Sequence, residues 1–258
     1  MEEENLYSKQ QMDFVIAIPS YNRAQKLRQQ TLQYLAAEGI PSAMITVFVA
    51  SELERMTYER TLVPGSYGKM VVGVLGIDKQ REFIQNYYPE NVWILQMDDD
   101  IKKLKFLNQR SLITLCHQMF QITEDQEARL WSIYPVNNLF FCKERVVVGK
   151  IFCVGCFFGI INKKDLRTPI NACGEDIWRS LACYEKDGAT VRYDGACPDT
   201  IYNAKGGLFD HRALFRTQEI LETQKEFPDL CRVTYRKNGV AEVKWKPQVF
   251  KILSLPPA

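Results

Sequence analysis

The sequence contains no apolar run of the roughly 18 residues that a membrane-spanning helix needs, and its first residues, MEEENLYSKQQ, are acidic and polar. We therefore expect neither a transmembrane segment nor a signal peptide, and a cytoplasmic protein without a membrane partner. No GxGxxG segment follows the first predicted strand, and the chain has no Walker A motif. These absences argue against a Rossmann-type dinucleotide site and against a P-loop nucleotide site.

Histidine is scarce, since His117 and His211 are the only two in the chain. Among the eight cysteines, Cys153 and Cys156 have the spacing of half a zinc site, but no second pair at matching spacing follows. Several cysteines sit inside apolar stretches, where cysteine behaves as a small hydrophobic residue. We expect free thiols, and we interpret His117 as a core or boundary residue of a helix.

The net charge is also small, at +2 with a pI near 8.0. It neither requires nor excludes a polyanionic partner, because such binding depends on how the charge is distributed. The 258 residues are 46% apolar and 12% aromatic, which is ample for a sizeable core. Since no repeat or low-complexity linker interrupts the chain, we predict one domain over residues 1–258, in two halves, 1–101 and 102–258.

The most informative stretch is NVWILQMDDDI, residues 91–101. Its apolar run is typical of a strand buried on both faces of a parallel sheet. Three consecutive carboxylates repel one another, so they are stable together mainly in water or against a cation. At the carboxyl end of a buried strand, where open α/β sheets bind ligands, Asp98 and Asp100 could offer two hard oxygens to one Mg²⁺ or Mn²⁺.

The first half of the chain reads as strands alternating with helices. Predicted strands cover residues 14–18, 44–50, 69–75 and 92–97, and predicted helices cover 25–38, a segment capped by Ser51, and 78–88. Short loops join them, which favours an α/β fold with a doubly wound, mostly parallel sheet of nucleotide-binding type.

The second half has a different pattern, which predicts helices at 111–127, 175–186 and 212–227. Strands are predicted at 130–136, within 146–161, at 190–193, and in a closing hairpin at 231–236 and 240–245. Glycines at 149, 155 and 159 predict places where backbone or ligand must come close.

Three motifs together resemble the glycosyltransferases of the GT-A fold: IPSYNR at 18–23, MDDD at 97–100 and GED at 174–176. The resemblance spans most of the chain and implies a Rossmann-like sheet flanked by helices, with a smaller acceptor-side region. It implies transfer of a sugar from a nucleotide-sugar, here a UDP-sugar. A divalent Mn²⁺ or Mg²⁺ held by Asp98 and Asp100 would neutralise the departing diphosphate.

More narrowly, the C-terminal half resembles the TET-associated glycosyltransferases, a GT-A family found largely in bacteriophages. The resemblance rests on GED with its helix, NAKGG at 203–207, RTQ at 216–218, FPD at 227–229 and VKWK at 243–246. It implies an acceptor in phage DNA, the hydroxymethyl group of a modified pyrimidine such as 5-hydroxymethylcytosine, and a host-cytoplasmic location.

The resemblance also implies residue roles. Contacts to the nucleotide-sugar would come from Pro19, Ser20, Tyr21, Arg23, Ser51, Arg81, Asp98, Asp99, Lys205 and Gly206. His211 would complete the metal site of Asp98 and Asp100, and Asp176, or failing that Glu175, would be the general base. Ser51 stands where many such enzymes keep an aspartate for uracil, which leaves the identity of the base open.

Each role has a structural alternative. Carboxylates such as Asp176 favour helix N-termini whatever the function, and Arg81 could be an ordinary surface arginine beside Glu82. Lys205 with its glycines could be a flexible loop, and His211 could serve helix-terminal packing.

A DNA acceptor requires a basic surface, and residues 143–167 and 232–251 are both net positive. The alternative is a solvated surface that balances acidic patches elsewhere. A glycan acceptor is the second functional hypothesis. A nucleotidyltransferase is the third, although the loop after the first strand lacks the glycines that such enzymes normally carry.

Overall fold

The structure is a computed structural model that describes residues 14–166, 174–200, 209–237, 239 and 241–256, with only the helical backbone at 209–216. Its strands are β1 Val15–Pro19, β2 Ile45–Val49, β3 Lys69–Val72, β4 Trp93–Met97, β5 Lys103–Phe106, β6 Leu130–Ile133, β7 Val146–Gly149, β8 Phe157–Ile161, β9 Thr190–Tyr193, β10 Ala196–Asp199, β11 Cys231–Tyr235, β12 Ala241–Trp245 and β13 Lys251–Leu253. Its α-helices are α1 Ala24–Gln29, α2 Thr31–Ala37, α3 Glu52–Thr61, α4 Ile77–Tyr87, α5 Leu112–Asp125, α6 Glu175–Asp187 and α7 Phe209–Glu226. Short 3₁₀ helices lie at Ser42–Met44 and Leu139–Phe141.

A nine-stranded sheet in the order β13-β7-β9-β6-β8-β4-β1-β2-β3 organises the fold. Strands β3, β2, β1 and β4 pair in parallel, as the alternating pattern of the first half predicts. Because β8 is antiparallel to β4 and β6, and β7 is antiparallel to β9 and β13, these two strands run against the other seven. The predicted mostly parallel α/β sheet is confirmed.

The order of the parallel strands locates a ligand-binding cleft. From β1 the chain moves outward to β2 and β3, then returns to place β4 on the other side of β1. Open α/β sheets bind ligands at such a switch point, outside the carboxyl ends of the strands. Ser20 and Asp98 follow β1 and β4 directly, so they lie at this point.

The first predicted helix is two helices, broken at Gln30, whose φ of −121° and ψ of −86° are not helical. The break begins α2 at Thr31, which is fully buried beneath the aspartate segment. The Thr31 hydroxyl donates to the carbonyl of Asp98 at 2.8 Å and accepts from the N–H of Ile101 at 3.0 Å. The break therefore supports the turn that carries the three carboxylates.

The sequence pattern did not predict three of the strands, β5, β10 and β13. Each has only three or four residues, with charges in β5 and a proline in β10, so the pattern within each is too short to read. Strands β5 and β10 form a separate antiparallel pair, and Lys102 N–H donates to the Asp199 carbonyl just beyond the aspartate segment. This small sheet forms one wall beside the site.

The core contains an aromatic cluster between the sheet and α5. Trp93 stacks on Phe120 with ring centroids 5.0 Å apart, and Trp131 meets Phe120 edge-on at 5.3 Å. A Cβ on Gly159 would approach the Trp131 indole to 2.0 Å, so that glycine is needed for close packing. His117 meets Phe14 edge-on at 5.3 Å.

The seven cysteines within the described residues are buried free thiols, as the sequence predicts. Among the described residues, no group of three potential metal ligands occurs, and Cys153 and Cys156 are core residues. In the same part of the chain, no helix has the length and apolar character to cross a membrane.

Candidate active site

Arg81 joins the two acidic motifs that lie far apart in the sequence. Its side chain projects from α4 and is only 5% exposed. Nη2 donates to Oδ1 of Asp98 at 3.0 Å, while Nε donates to Oε1 of Glu175 at 3.1 Å. One guanidinium therefore fixes the end of β4 against the start of α6.

Two further acceptors complete the environment of Arg81. Nη1 donates to the amide oxygen of Gln96 at 3.1 Å, and Nη2 also donates to the Gly155 carbonyl at 2.7 Å. Four hydrogen bonds to protein leave one of its five donors. The expected contact with a diphosphate stays a prediction, for which one donor remains, whereas the alternative of an ordinary surface arginine beside Glu82 is wrong because Arg81 is buried.

The start of α6 carries the second acidic pair. Glu175 is 8% exposed, and its other oxygen accepts from Nη1 of Arg179 at 2.9 Å, one helical turn along. Asp176 is partly exposed, and its Oδ1 accepts from the N–H of Ile177 at 2.9 Å. A Cβ on Gly155 would come within 2.9 Å of Glu175, so this glycine permits the loop before β8 to pack against α6.

The middle aspartate faces the protein interior. Asp99 is 4% exposed and accepts from Ser20 Oγ at 2.6 Å and from Arg23 Nη1 at 3.2 Å. The Tyr58 hydroxyl lies 2.7 Å from Ser20 Oγ and accepts from the N–H of Arg23 at 3.0 Å. Ser20, Arg23 and Asp99 thus hold the loop after β1 against the aspartate segment, and the predicted ligand contact of Asp99 would require this network to open.

Asp100 lies among donors on the opposite side from Arg81. Oδ1 accepts from Thr200 Oγ1 at 3.0 Å, Oδ2 accepts from Arg23 Nη1 at 3.2 Å, and Lys26 Nζ lies 3.8 Å away. The Asp98 side chain is 35% exposed, and within the described residues only its Oδ1 has a hydrogen-bond partner. Asp98 thus faces the cation of Arg81, whereas Asp100 faces those of Arg23 and Lys26.

The donor set fits a hard divalent cation in its chemistry, because both groups supply carboxylate oxygens and Asp98 keeps Oδ2 open. One or two carboxylates together with substrate phosphates are a usual set for Mg²⁺. Asp100 would exchange its contact with Arg23 for the ion. The third predicted ligand, the side chain of His211, lies outside the described residues, as do Lys205 and Gly206.

The carboxylates of the site differ in acidity. Burial would raise the pKa of Glu175, but Arg179 and Arg81 outweigh it and the pKa is lowered. Burial, and next the negative charge of Glu175, raise the pKa of Asp176 to about 6. Burial likewise raises the pKa of Asp99 to about 7, against the opposing effects of Ser20 and Arg23. Glu175 is therefore held ionised, whereas Asp176 can exchange a proton near neutral pH.

The remaining predicted residues lie around the carboxyl ends of β1 and β2. Pro19 ends β1, Tyr21 is 43% exposed in the loop that follows, and Ser51 caps α3 by accepting from the N–H of Glu54 at 3.2 Å. The carboxylate of Glu54 accepts from the N–H groups of Asn22 and Ala50, and so joins the loops after β1 and β2.

Sequence reasoning missed several residues of the site: Gln96, Arg179, Thr200, Tyr58, Thr31 and Lys26. Only Arg179 carried a usable signal, because it stands four residues after Glu175 on a predicted helix. The others act across the fold, and local spacing does not reveal such contacts.

The two basic segments of the sequence, residues 143–167 and 232–251, differ in how their positive charges are paired. In the first, Arg145 pairs with Asp194 at 2.9 Å, Lys163 lies 3.8 Å from Asp187, and Lys150 is 6% exposed. In the second, Arg232, Lys244 and Lys246 are exposed on the hairpin of β11 and β12. In the first segment, aspartates elsewhere in the protein therefore neutralise much of the positive charge.

No protein-family model and no curated protein matches the chain. Solved structures do match. Mannosyl-3-phosphoglycerate synthase from Rubrobacter xylanophilus superposes with a TM-score of 0.53 at 11% identity, over 93% of this chain and 88% of that chain. Glucosyl-3-phosphoglycerate synthase from Mycobacterium tuberculosis, in complex with Mn²⁺, UDP and phosphoglyceric acid, gives 0.53 at 9% identity, over 94% and 89%.

The chain has the GT-A fold. Residues 1–349 of S. aureus TarS give a lower TM-score of 0.48 at 14% identity, over 81% of this chain and 66% of that chain. At such identities a GT-A architecture does not establish an activity, since one fold hosts many functions.

Proposed function

We propose that this GT-A protein is a glycosyltransferase that moves a sugar from a nucleotide-sugar to an acceptor hydroxyl. One observation carries the proposal: the buried guanidinium of Arg81 bonds both Asp98 and Glu175. It joins the carboxylates at the sheet's switch point to the helix start that carries Asp176. This link supports the proposal, because a donor diphosphate at Asp98 and an acceptor hydroxyl at Asp176 would then be close to each other.

The donor side is formed by the loops after β1, β2 and β4. Pro19, Tyr21 and Ser51 would line the nucleotide, with Ser20 and Arg23 holding their loop in place. Asp98 and Asp100 would hold Mn²⁺ or Mg²⁺, which when bound neutralises the charge that develops on the departing diphosphate. The side chain of Asp98, the more exposed of the two, is the better anchor.

Asp176 is the general base of this proposal, and Glu175 is its positioning partner. Both oxygens of Glu175 accept from arginines, and its lowered pKa makes it a poor proton acceptor. Asp176 has a pKa of about 6, close to the value that suits a base near neutral pH. It takes the hydroxyl proton as the acceptor oxygen bonds to the anomeric carbon, while the bond from that carbon to the diphosphate oxygen breaks.

For the acceptor we propose the hydroxymethyl group of a modified pyrimidine in DNA, of the 5-hydroxymethylcytosine type. The support is the resemblance of residues 174–176, 216–218, 227–229 and 243–246 to the TET-associated glycosyltransferases of bacteriophages. A base within a duplex would have to be flipped out to reach the donor.

Replacing Asp100 with alanine should remove metal-dependent donor cleavage. We expect wild-type protein to release UDP from a UDP-sugar only with Mn²⁺ or Mg²⁺, and the variant to lose about two orders of magnitude in rate, in the range for lost electrostatic stabilisation of a leaving group. Mass spectrometry of 5-hydroxymethylcytosine DNA incubated with a panel of UDP-sugars would identify the product and the sugar.

The exposed Asp125 on α5 gives a matched control, because Asp125→Ala also removes one carboxylate but lies away from the switch point. Electron paramagnetic resonance of Mn²⁺ with UDP would report metal binding without turnover. Donor cleavage that survives chelation would exclude the metal role, and transfer to glycans but not to DNA would exclude the DNA acceptor.

A further inference from the structure

The hairpin of β11 and β12 has one face against the protein and one face in solvent. Cys231, Val243 and Trp245 lie on the inner side, in a cluster with Trp178 of α6 and Phe227 at the end of α7. Strand alternation then directs Arg232 and Lys244 outward. Because Trp178 is two residues from Asp176, the hairpin is packed on the helix that carries the proposed base.

The outward face concentrates positive charge. Arg232 lies directly opposite Lys244 in the antiparallel register, and Lys246 follows two residues later on the same side. All three side chains are exposed, and within the described residues none has an acidic partner. Glu242 is the acid on this face, and it pairs with Arg236.

Like charges opposite one another in a strand pair are destabilising, so this arrangement has a cost that an anionic ligand would relieve. Burial lowers the pKa of Lys150, and the charge of Lys246 lowers it further, so Lys246 already lies near a second cation. Residues two apart on a strand are about 6.7 Å apart, which is about two 3.4 Å steps along one strand of DNA.

We propose that Arg232, Lys244 and Lys246 bind the phosphodiester backbone of a nucleic acid acceptor. This inference rests on the proposed function, because the packing of the hairpin on α6 is what links the basic face to the acceptor side of the site. Of the possible anionic partners, a regularly spaced phosphate chain is complementary in charge to the three exposed cations and matches their spacing along the strands.

The test compares two triple variants that lose the same charge. One replaces Arg232, Lys244 and Lys246 with glutamine, and the other does so for the exposed residues Arg60, Lys186 and Lys225. Binding of a labelled, unmodified DNA duplex is measured by fluorescence anisotropy over a salt series. We expect the slope of log Kobs against log salt to fall in magnitude by about three for the hairpin variant and to stay at the wild-type value for the control.

An unchanged slope in the hairpin variant would overturn the inference, and so would equal losses in both variants. Binding of the wild type to phosphatidylserine vesicles but not to DNA would also overturn it. Donor hydrolysis without acceptor separates the two proposals: the hairpin variant should keep it. A wild type that binds DNA through the hairpin yet never cleaves a nucleotide-sugar would refute the proposed function and leave the DNA-binding surface in place.

Discussion

Replacing Asp176 with asparagine is expected to lower the rate of sugar transfer by about 10²- to 10⁴-fold, the range for loss of a general base. The change preserves shape, and Oδ1 can still accept from the N–H of Ile177. Thermal unfolding and donor affinity should therefore stay close to wild type. The measurement is kcat with saturating UDP-sugar and acceptor, alongside a melting curve.

The pH dependence of kcat/KM also tests the role of Asp176 as general base. Since Asp176 must be deprotonated to act, kcat/KM in the wild type should rise with pH and level off above about 6, the pKa of that group. Among the described residues, the charged groups that face it are Glu175, Arg179 and Arg81. Because the charge of Glu175 raises the pKa of Asp176, Glu175→Gln should move the acidic limb to lower pH.

Asp176→Asn should abolish the limb altogether. A variant that keeps both the wild-type rate and the acidic limb would assign the base elsewhere. An acidic limb that Glu175→Gln moves to higher pH would contradict the proposed electrostatic coupling between the two carboxylates.

Replacing Arg81 with leucine should lower the free energy of unfolding by about 3 kcal/mol, because it strips a cation from a buried pair and leaves charge uncompensated. We place the loss at the lower end of the range for buried pairs. Glu175 keeps Arg179 at 2.9 Å, and Asp98 is open enough to be hydrated. Urea denaturation of both proteins would measure the difference.

Arg55→Leu is the control, because Arg55 also bonds two carboxylates, Glu52 and Glu59, but on the exposed face of α3. Little change in unfolding is expected there. The variant Arg81→Lys distinguishes the effect of charge from that of geometry. A lysine restores a cation but cannot bond Asp98, Glu175 and Gln96 in one plane. We therefore expect the free energy of unfolding to recover in part and the activity not to recover. Equal effects at Arg81 and Arg55 would refute the connecting role.

Local pattern was sufficient for much of this fold. Each of the first four strands is an apolar run bounded by turn residues, and strands joined by helical crossovers pair in parallel, so the first half followed from sequence. The break at Gln30 did not follow, because the periodicity of 24–37 continues across it. Thr31 is instead positioned by hydrogen bonds to residues some 70 positions away.

The sequence by itself determined which residue types follow the strands at one edge of the sheet, because the carboxyl ends of parallel strands share that edge: Ser20, Ser51 and the three aspartates. Only the tertiary structure decided that Arg81 is buried between Asp98 and Glu175, and that Asp99 turns inward to Ser20. It also decided which basic residues stay unpaired, because Asp187 and Asp194 neutralise one segment from elsewhere in the chain. The physical reason is that the strength of a charge depends on its burial and on its neighbours in space, and neither can be read from position along the chain.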